Sequence, residues 1–525
     1  MKKIEIFDTT LRDGAQSEGI SFSLQDKLKI IKRLSHFGVE YIEAGNPASN
    51  PKDIEVFKKA SVLDLGNSKL VAFGATARKG ISPQEDENIS ALLSAGTKSV
   101  AVFGKSHDLQ VNSVLRASLS ENLSMIQRTI EYLTEMDREV IFDAEHFFDG
   151  YKSNREYALF VLKTAAVAGA GKLILCDTNG GCFPDEIGEI TKTVRERLST
   201  VNCFGIHCHD DTGCAVANTI AAVNGGAVHV QGTMNGIGER CGNANLSVVI
   251  PNLQLKMDYF CVETHSMEHI TETAQFIAEV ANVSLPRNMP YVGGAAFSHK
   301  GGMHIDGVVK SSESFEHIPP EQVGNKRNLL LSEMSGRGTL LHKINEIIPN
   351  MTKDDPIVAT LTNKVKELEH KGYQFEAAGA SFELLVLQES GRFKPHFEIL
   401  EYDIVSSLSQ DCSATVKIRA GDRIEVTNDV GNGPVNALDK ALRKALYVFY
   451  PQLKLMRLSD YKVRIINGVN DTAAITRVLM ESHFGRGGNS SASWTTVGAG
   501  DNIISASMIA LVDSLEYALA IDADF

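Results

Sequence analysis

No apolar run in the 525 residues approaches bilayer-spanning length, and the N-terminus, MKKIEIFDTTLRDG, turns charged after a few residues. Neither a membrane span nor a secretory leader is expected, so the chain reads as cytoplasmic. Cysteine is sparse. Of eight, Cys176, Cys182, Cys203, Cys208, Cys214 and Cys241 fall mid-chain without paired C-x-x-C spacing, which suits reduced thiols better than a disulfide framework. Positive charge is also short. The formal net charge of −13 argues against broad binding to nucleic acid or acidic membranes, while leaving room for a local basic pocket that holds an anion. No G-x-G-x-x-G opens a helix after a strand, so the usual dinucleotide fingerprint is missing.

What is present is the composition of a globular chain, 43% apolar and 525 residues long, enough for about two to four domains. Up to about residue 255, short apolar runs alternate with amphipathic segments. The strand candidates are KIEIF, EYIEAG, KLVAFGA, SVAVFG, EVIFDAE, KLILCDT, CFGIHCH and HVQGTMN. Between the first two lies SLQDKLKIIKRLSHFG, with Leu24, Leu28, Ile31 and Leu34 at helical spacing and Gly38 placed to stop the helix. Strands alternating with helices imply a parallel sheet with right-handed crossovers, and eight units suffice to close an α/β (β/α)8 barrel. A doubly wound open sheet is the structural alternative.

The seventh strand carries the clearest chemistry. In FGIHCHDDTGCA, His207 and His209 are two residues apart; on a strand they project to the same face while Cys208 points away. Barrel chemistry sits at the C-terminal strand ends, and the other polar residues just after strands are Arg12, Asp13, Glu43, Glu145, Thr178, Asn235 and Asn243. Two imidazoles with the Asp13 carboxylate make a site for a divalent metal with positions open to substrate. The plainer alternative is a pair of histidines hydrogen-bonded to loops.

The segments DTTLRDGAQ, IEAGNPASNPKD, HCHDDTG and NGIGERCGNANL together resemble the DRE-TIM metallolyases, within them the Claisen-condensing 2-isopropylmalate, homocitrate and citramalate synthases. NPKD, LCDTNGG, NANLSVVIPNLQLKM and SHKGGMH look most like the citramalate branch. The resemblance implies Asp13, His207 and His209 as ligands of a divalent metal (Zn, Mn or Mg), with Asn243 as a fourth. It implies Arg12 at the substrate carbonyl, Glu43 orienting it, Thr178 in substrate binding, and acid/base roles for Glu145 and His304. The implied reaction joins acetyl-CoA, as co-substrate, to a 2-oxo acid: the acetyl methyl loses a proton, its carbon attacks the ketone, and thioester hydrolysis drives the step. Pyruvate is the 2-oxo acid implied by the citramalate branch, and 2-oxoisovalerate by the isopropylmalate alternative. An aldolase or lyase on the same barrel would lack the C-terminal repeat described next, and an amino-acid-sensing protein with a dead barrel would carry a broken ligand set.

The domain boundaries read as a catalytic barrel over 1–270, linker subdomains over 271–371 and a C-terminal domain over 372–525. VGNGPVNALDKALRKAL from Val430 and VGAGDNIISASMIALVDSL from Val497 share V-G-x-G and then A-x3-A-L-x3-L, the second copy two residues longer. Strand-like SATVKIRA and KVRIING precede them, so the C-terminal domain reads as α+β, two βββα halves. By resemblance the linkers are small helical subdomains that bring His304 to the partner subunit's site in a homodimer, and the last domain is regulatory, with isoleucine as effector. Three positions depart from the family: Asn46 and His107 stand where tryptophans are common, and Phe315 where a tyrosine is usual. These bear on which 2-oxo acid fits.

Overall fold

The computed structural model describes residues 1–201, 203–330, 337–407, 410–466, 474–484 and 493–522. The chain divides into two compact units, Met1–Phe297 with Ile318–Arg327, and Ser298–His317 with Asn328–Phe525.

The first unit is a closed barrel of eight parallel strands: β1 (Glu5–Asp8), β2 (Tyr41–Gly45), β3 (Lys69–Ala75), β4 (Ser99–Lys105), β5 (Glu139–Glu145), β6 (Lys172–Asp177), β7 (Phe204–Cys208) and β8 (His229–Gly232). Closure comes from β8 pairing with β1, Glu5 opposite His229. These are the eight runs read from the sequence. The first crossover helix, α1 (Leu24–Phe37), starts with a reciprocal cap between Ser23 and Asp26 and stops at Gly38, whose φ of 94° is left-handed. Its buried face includes Ile31 and Leu34 but also Lys27. That ammonium is paired with Asp53 at 2.6 Å and with the Ala44 carbonyl at 3.1 Å, which makes a buried cation tolerable.

The barrel interior is filled. Phe7, Tyr41, Val71, Ala101, Ile141, Ile174 and Cys176 form an inner cluster. Below it, at the N-terminal strand ends, Glu5 meets Lys172 at 2.7 Å and His229 at 3.1 Å, and the Tyr41 hydroxyl donates to Glu139 at 2.9 Å. With that end closed by packed rings and ion pairs, the C-terminal end is left for chemistry.

The second unit has helices Arg337–Ile347, Pro356–His370 and Gly379–Glu389, which share a core including Ile344, Leu361, Phe375 and Phe382. Beyond them come β9 (Glu398–Ser407), β10 (Gln410–Ala420), β11 (Arg423–Gly431) and α2 (Pro434–Leu446), then β12 (Met456–Ile465), β13 (Thr476–Phe484), β14 (Ser493–Gly500) and α3 (Ile503–Asp522). Each three-stranded sheet is antiparallel, giving two βββα halves. Asn467 and Gly468 of KVRIING lie outside the described residues. The repeated glycine has a packing cause: a Cβ on Gly431 would collide with the Ala437 amide, and one on Gly498 with the Ala506 carbonyl. Each helix therefore sits hard against its own third strand.

One expectation from composition is corrected here. Among the described residues, Ile503–Ile521 is long and apolar enough to cross a bilayer, with a mean hydropathy of 1.5. Its apolar residues are used in packing: Ala506, Ala510, Leu515 and Ala518 are fully buried. Glu516, also buried, accepts from the His396 and Phe397 amides. A core helix and a span share composition, and only the tertiary partners separate them.

Candidate active site at the barrel mouth

Strand ends deliver the polar residues to one place. β7 presents His207 at its last turn of pleat and His209 just beyond, where His209 bridges to Asn243. The turn after β1 brings Asp13. Its carboxylate lies 3.8 Å from His207 Nε2 and 3.9 Å from His209 Nε2, too far for hydrogen bonds and suited to ligands that share an ion. Among the described residues these three form a group whose donor atoms lie within 4.8 Å of one another.

The surroundings fit a cation. Asn243 Oδ1 faces His207 Nε2 at 2.9 Å while its Nδ2 donates to Asp13 Oδ1 at 2.9 Å. The buried Nδ1 of His209 has no hydrogen-bond partner. Burial, then the neighbouring His207, lowers the His209 pKa to about 4, so its ring is neutral at pH 7 and able to ligate. Burial works against charge on Asp13, but Arg12 and the two histidines prevail and hold its carboxyl well below the usual range. This donor set, one carboxylate, two imidazoles and an amide oxygen, fits a divalent metal.

Arg12 lies beside it. Its Nε donates to Glu43 Oε2 at 2.6 Å, Nη1 to Asp13 Oδ2 at 2.8 Å, and the guanidinium lies 3.8 Å from the Phe73 ring centroid. Thr9 donates to the same Glu43 oxygen, leaving Glu43 Oε1 buried without a partner. Thr178 Oγ1 accepts from the His146 amide at 2.8 Å, which leaves the hydroxyl proton available. Glu145 is paired with Lys105 at 2.5 Å. Arg12, Asp13, Glu145, Thr178, His207 and His209 all line one cavity of about 240 Å³.

The chain matches the family described as HMGL-like over residues 3–277, the homocitrate synthase post-HMGL domain over 291–373 and the LeuA allosteric (dimerisation) domain over 376–519. It is 50% identical to the (R)-citramalate synthase of Aquifex aeolicus over 99% of this chain and 98% of that one. The chain belongs to the (R)-citramalate synthase family. The family member from Synechocystis is 47% identical over 98% of this chain and 96% of its own length. The 2-isopropylmalate synthase of Lactococcus lactis subsp. lactis stands further off, 34% identical over 92% and 90%.

Of the metal, substrate and acid/base candidates read from the sequence of this citramalate synthase relative, the structure gathers all at the barrel mouth except His304. His304 belongs to the second unit, exposed on helix Gly302–Lys310 and stacked on Phe315 with centroids 4.3 Å apart. Asn235, also at a strand end, is spent on structure, donating to the Ala274 carbonyl at 2.8 Å. Asn46 likewise caps its own turn, accepting from the Ala48 and Ser49 amides. Sequence reasoning missed Phe73, Phe103, Asp143 and Cys176, which line the cavity, and Gln231, which contacts His207 at 2.8 Å. The signal for Asp143 was its place two residues before Glu145, on the same face of β5. Burial, then Glu43, pushes its carboxyl up to about 7.

Proposed function

We propose that this chain is a metal-dependent acyltransferase that condenses acetyl-CoA with pyruvate to give (R)-citramalate and CoA. One observation carries the reading: a fixed guanidinium stands beside a three-ligand cation cluster in a small cavity, within a chain 50% identical to an (R)-citramalate synthase over nearly its whole length. Asp13, His207 and His209 would hold the metal, with Asn243 Oδ1 as a fourth donor. The bound cation supplies Lewis acidity toward the 2-oxo acid. The two imidazoles suit zinc, while the carboxylate and amide oxygens suit manganese or magnesium.

Arg12 aims positive charge at the ketone oxygen, where negative charge develops as the carbon–carbon bond forms. Glu43 and Thr9 fix its plane so that no reorganisation is needed during the step. Thr178 donates its free proton to the substrate carboxylate. One base must take a proton from the acetyl methyl, and one acid must return a proton to the new tertiary oxygen. Glu145, at the cavity wall, and His304 fill these roles, His304 from the other subunit of a homodimer. Water then cleaves the thioester and CoA leaves as the thiol. Phe73 and Phe103 narrow the cavity toward a methyl rather than a branched 2-oxo acid.

The LeuA-like domain is the seat of dimerisation and of feedback by isoleucine, the end product that pyruvate-derived citramalate leads to, and the enzyme works in the cytoplasm. The test is direct: metal-loaded protein given acetyl-CoA and pyruvate should release free thiol and yield a single citramalate enantiomer on chiral chromatography. Thiol release without citramalate would overturn the assignment.

A further inference from the structure

His207 has an oxygen at each ring nitrogen. Nδ1 lies 2.8 Å from Gln231 Oε1, and Nε2 lies 2.9 Å from Asn243 Oδ1. A neutral imidazole has one N–H and donates to only one of them, and that choice decides whether Nε2 has a lone pair for a metal. Both amides are already anchored. Gln231 Nε2 donates to Asp143 Oδ1 at 3.1 Å, turning its oxygen toward Nδ1. Asn243 Nδ2 donates to Asp13 Oδ1 and to the Ile237 carbonyl, turning its oxygen toward Nε2.

Topology enforces the chain of contacts. Gln231 on β8 is in register with His207 on β7, and Asp143 enters from β5 on the same inner face. Gln231 is fully buried and Asp143 only 3% exposed, so bulk water does not replace either bond.

We infer that Asp143 and Gln231 are positioning residues that hold His207 in the tautomer protonated at Nδ1, leaving Nε2 free to bind the divalent cation. The inference rests on the metal site proposed above. Asp143 is the anchor. As a carboxylate it accepts only, so it selects the NH2 end of Gln231. Without it the amide can turn over, present NH2 to Nδ1 and drive the ring proton onto Nε2. A carboxylate at position 231 would need no anchor, because either of its oxygens accepts from Nδ1–H.

The experiment is a Mn2+ titration of the metal-stripped, full-length protein at pH 8, followed by electron paramagnetic resonance without substrate. Asp143→Leu and Gln231→Leu should each weaken Mn2+ binding about 10–100-fold, the usual cost of losing a partner behind a metal-binding histidine. The double Leu variant should be little weaker than either single one, since both break the same chain. The decisive variant is Asp143→Leu combined with Gln231→Glu, which should recover most of the affinity although the anchor is gone. If Asp143→Leu fails to fold, Asp143→Ala carries the same expectations. Mn2+ affinity within twofold of the parent in the Asp143 variant, or no recovery with Gln231→Glu, overturns the inference. Recovery of Mn2+ binding in a protein that shows no condensation of acetyl-CoA with pyruvate would sink the proposed reaction and leave the tautomer relay standing.

Discussion

Replacing Arg12 with lysine keeps a positive charge at the barrel mouth and removes the fork that aims it. The guanidinium makes two bonds at once, 2.6 Å to Glu43 and 2.8 Å to Asp13, with its carbon over the Phe73 ring at 3.8 Å from the centroid. An ammonium on a flexible stem cannot do all three, and its charge will settle against one carboxylate. The loss equals roughly one aimed oxyanion donor, so kcat should fall by about 100–1000-fold, or about 3–4 kcal/mol. Affinity for the 2-oxo acid should change less. Folding should weaken only by about 1–2 kcal/mol in Arg12→Lys, because Glu43 keeps a cationic neighbour. Arg12→Met should cost about 3–5 kcal/mol, because it leaves Glu43, which is 0% exposed, as a buried unpaired acid. Thiol release at saturating substrate and urea unfolding measure the two effects. An Arg12→Lys enzyme that keeps more than about one-fifth of kcat would refute the reasoning, whose warrant is the scale of a single oxyanion donor.

Four further outcomes are expected. His207→Ala and Asp13→Ala should lose bound metal in native mass spectrometry while the barrel stays folded; full occupancy in either would remove that residue from the site. Gly238→Ala should weaken metal binding, because its new Cβ collides with the Asn243 amide nitrogen; unchanged affinity would show that Asn243 contributes nothing. For acid stability, burial raises the Glu5 carboxyl, but His229 and Lys172 prevail and bring it down from its ordinary value to about 2. A depressed carboxyl stabilises above its unfolded value and ceases to as pH falls through the folded one, so the gap between parent and Glu5→Gln, about 1–2 kcal/mol at pH 6 after allowance for partial exposure, should close between about pH 4.5 and 2; a gap that does not narrow contradicts it. Deleting residues from 376 onward, the LeuA-like segment, should abolish any response to isoleucine while metal binding persists, and inhibition that survives the cut would put the effector on the barrel.

The barrel was legible because its strands are short buried runs separated by helices with explicit caps, as with Ser23 and Gly38 at the two ends of α1. His207 and His209 were legible for a related reason: spacing of two on a strand fixes a shared face before any tertiary contact is known. Reading stopped short where a residue lay one pleat inside the strand end. In EVIFDAE the same alternation that brings Glu145 to the barrel mouth also puts Asp143 on that inner face, one pleat deeper, yet a rule confined to strand ends passes over it. Gln231 and the rings of Phe73 and Phe103 were hidden differently, since glutamine and phenylalanine on a buried strand look like packing until the cavity is seen. Lys27 was passed over in the helix spacing, and its buried partner, Asp53, comes from a different helix. The long apolar helix α3 needed its neighbours most of all, since composition cannot tell a core from a membrane.

The measurement that bears most directly on the central claim is kcat/KM for thiol release from acetyl-CoA, taken on the Mn2+- or Zn2+-loaded full-length enzyme with pyruvate and with 2-oxoisovalerate. Phe73 and Phe103 line the cavity of about 240 Å³, and if they shape it to a methyl, pyruvate should be preferred by at least about 100-fold, since such a pocket rejects extra methyl groups at roughly 1–3 kcal/mol each. Equal or greater efficiency with 2-oxoisovalerate would contradict the account.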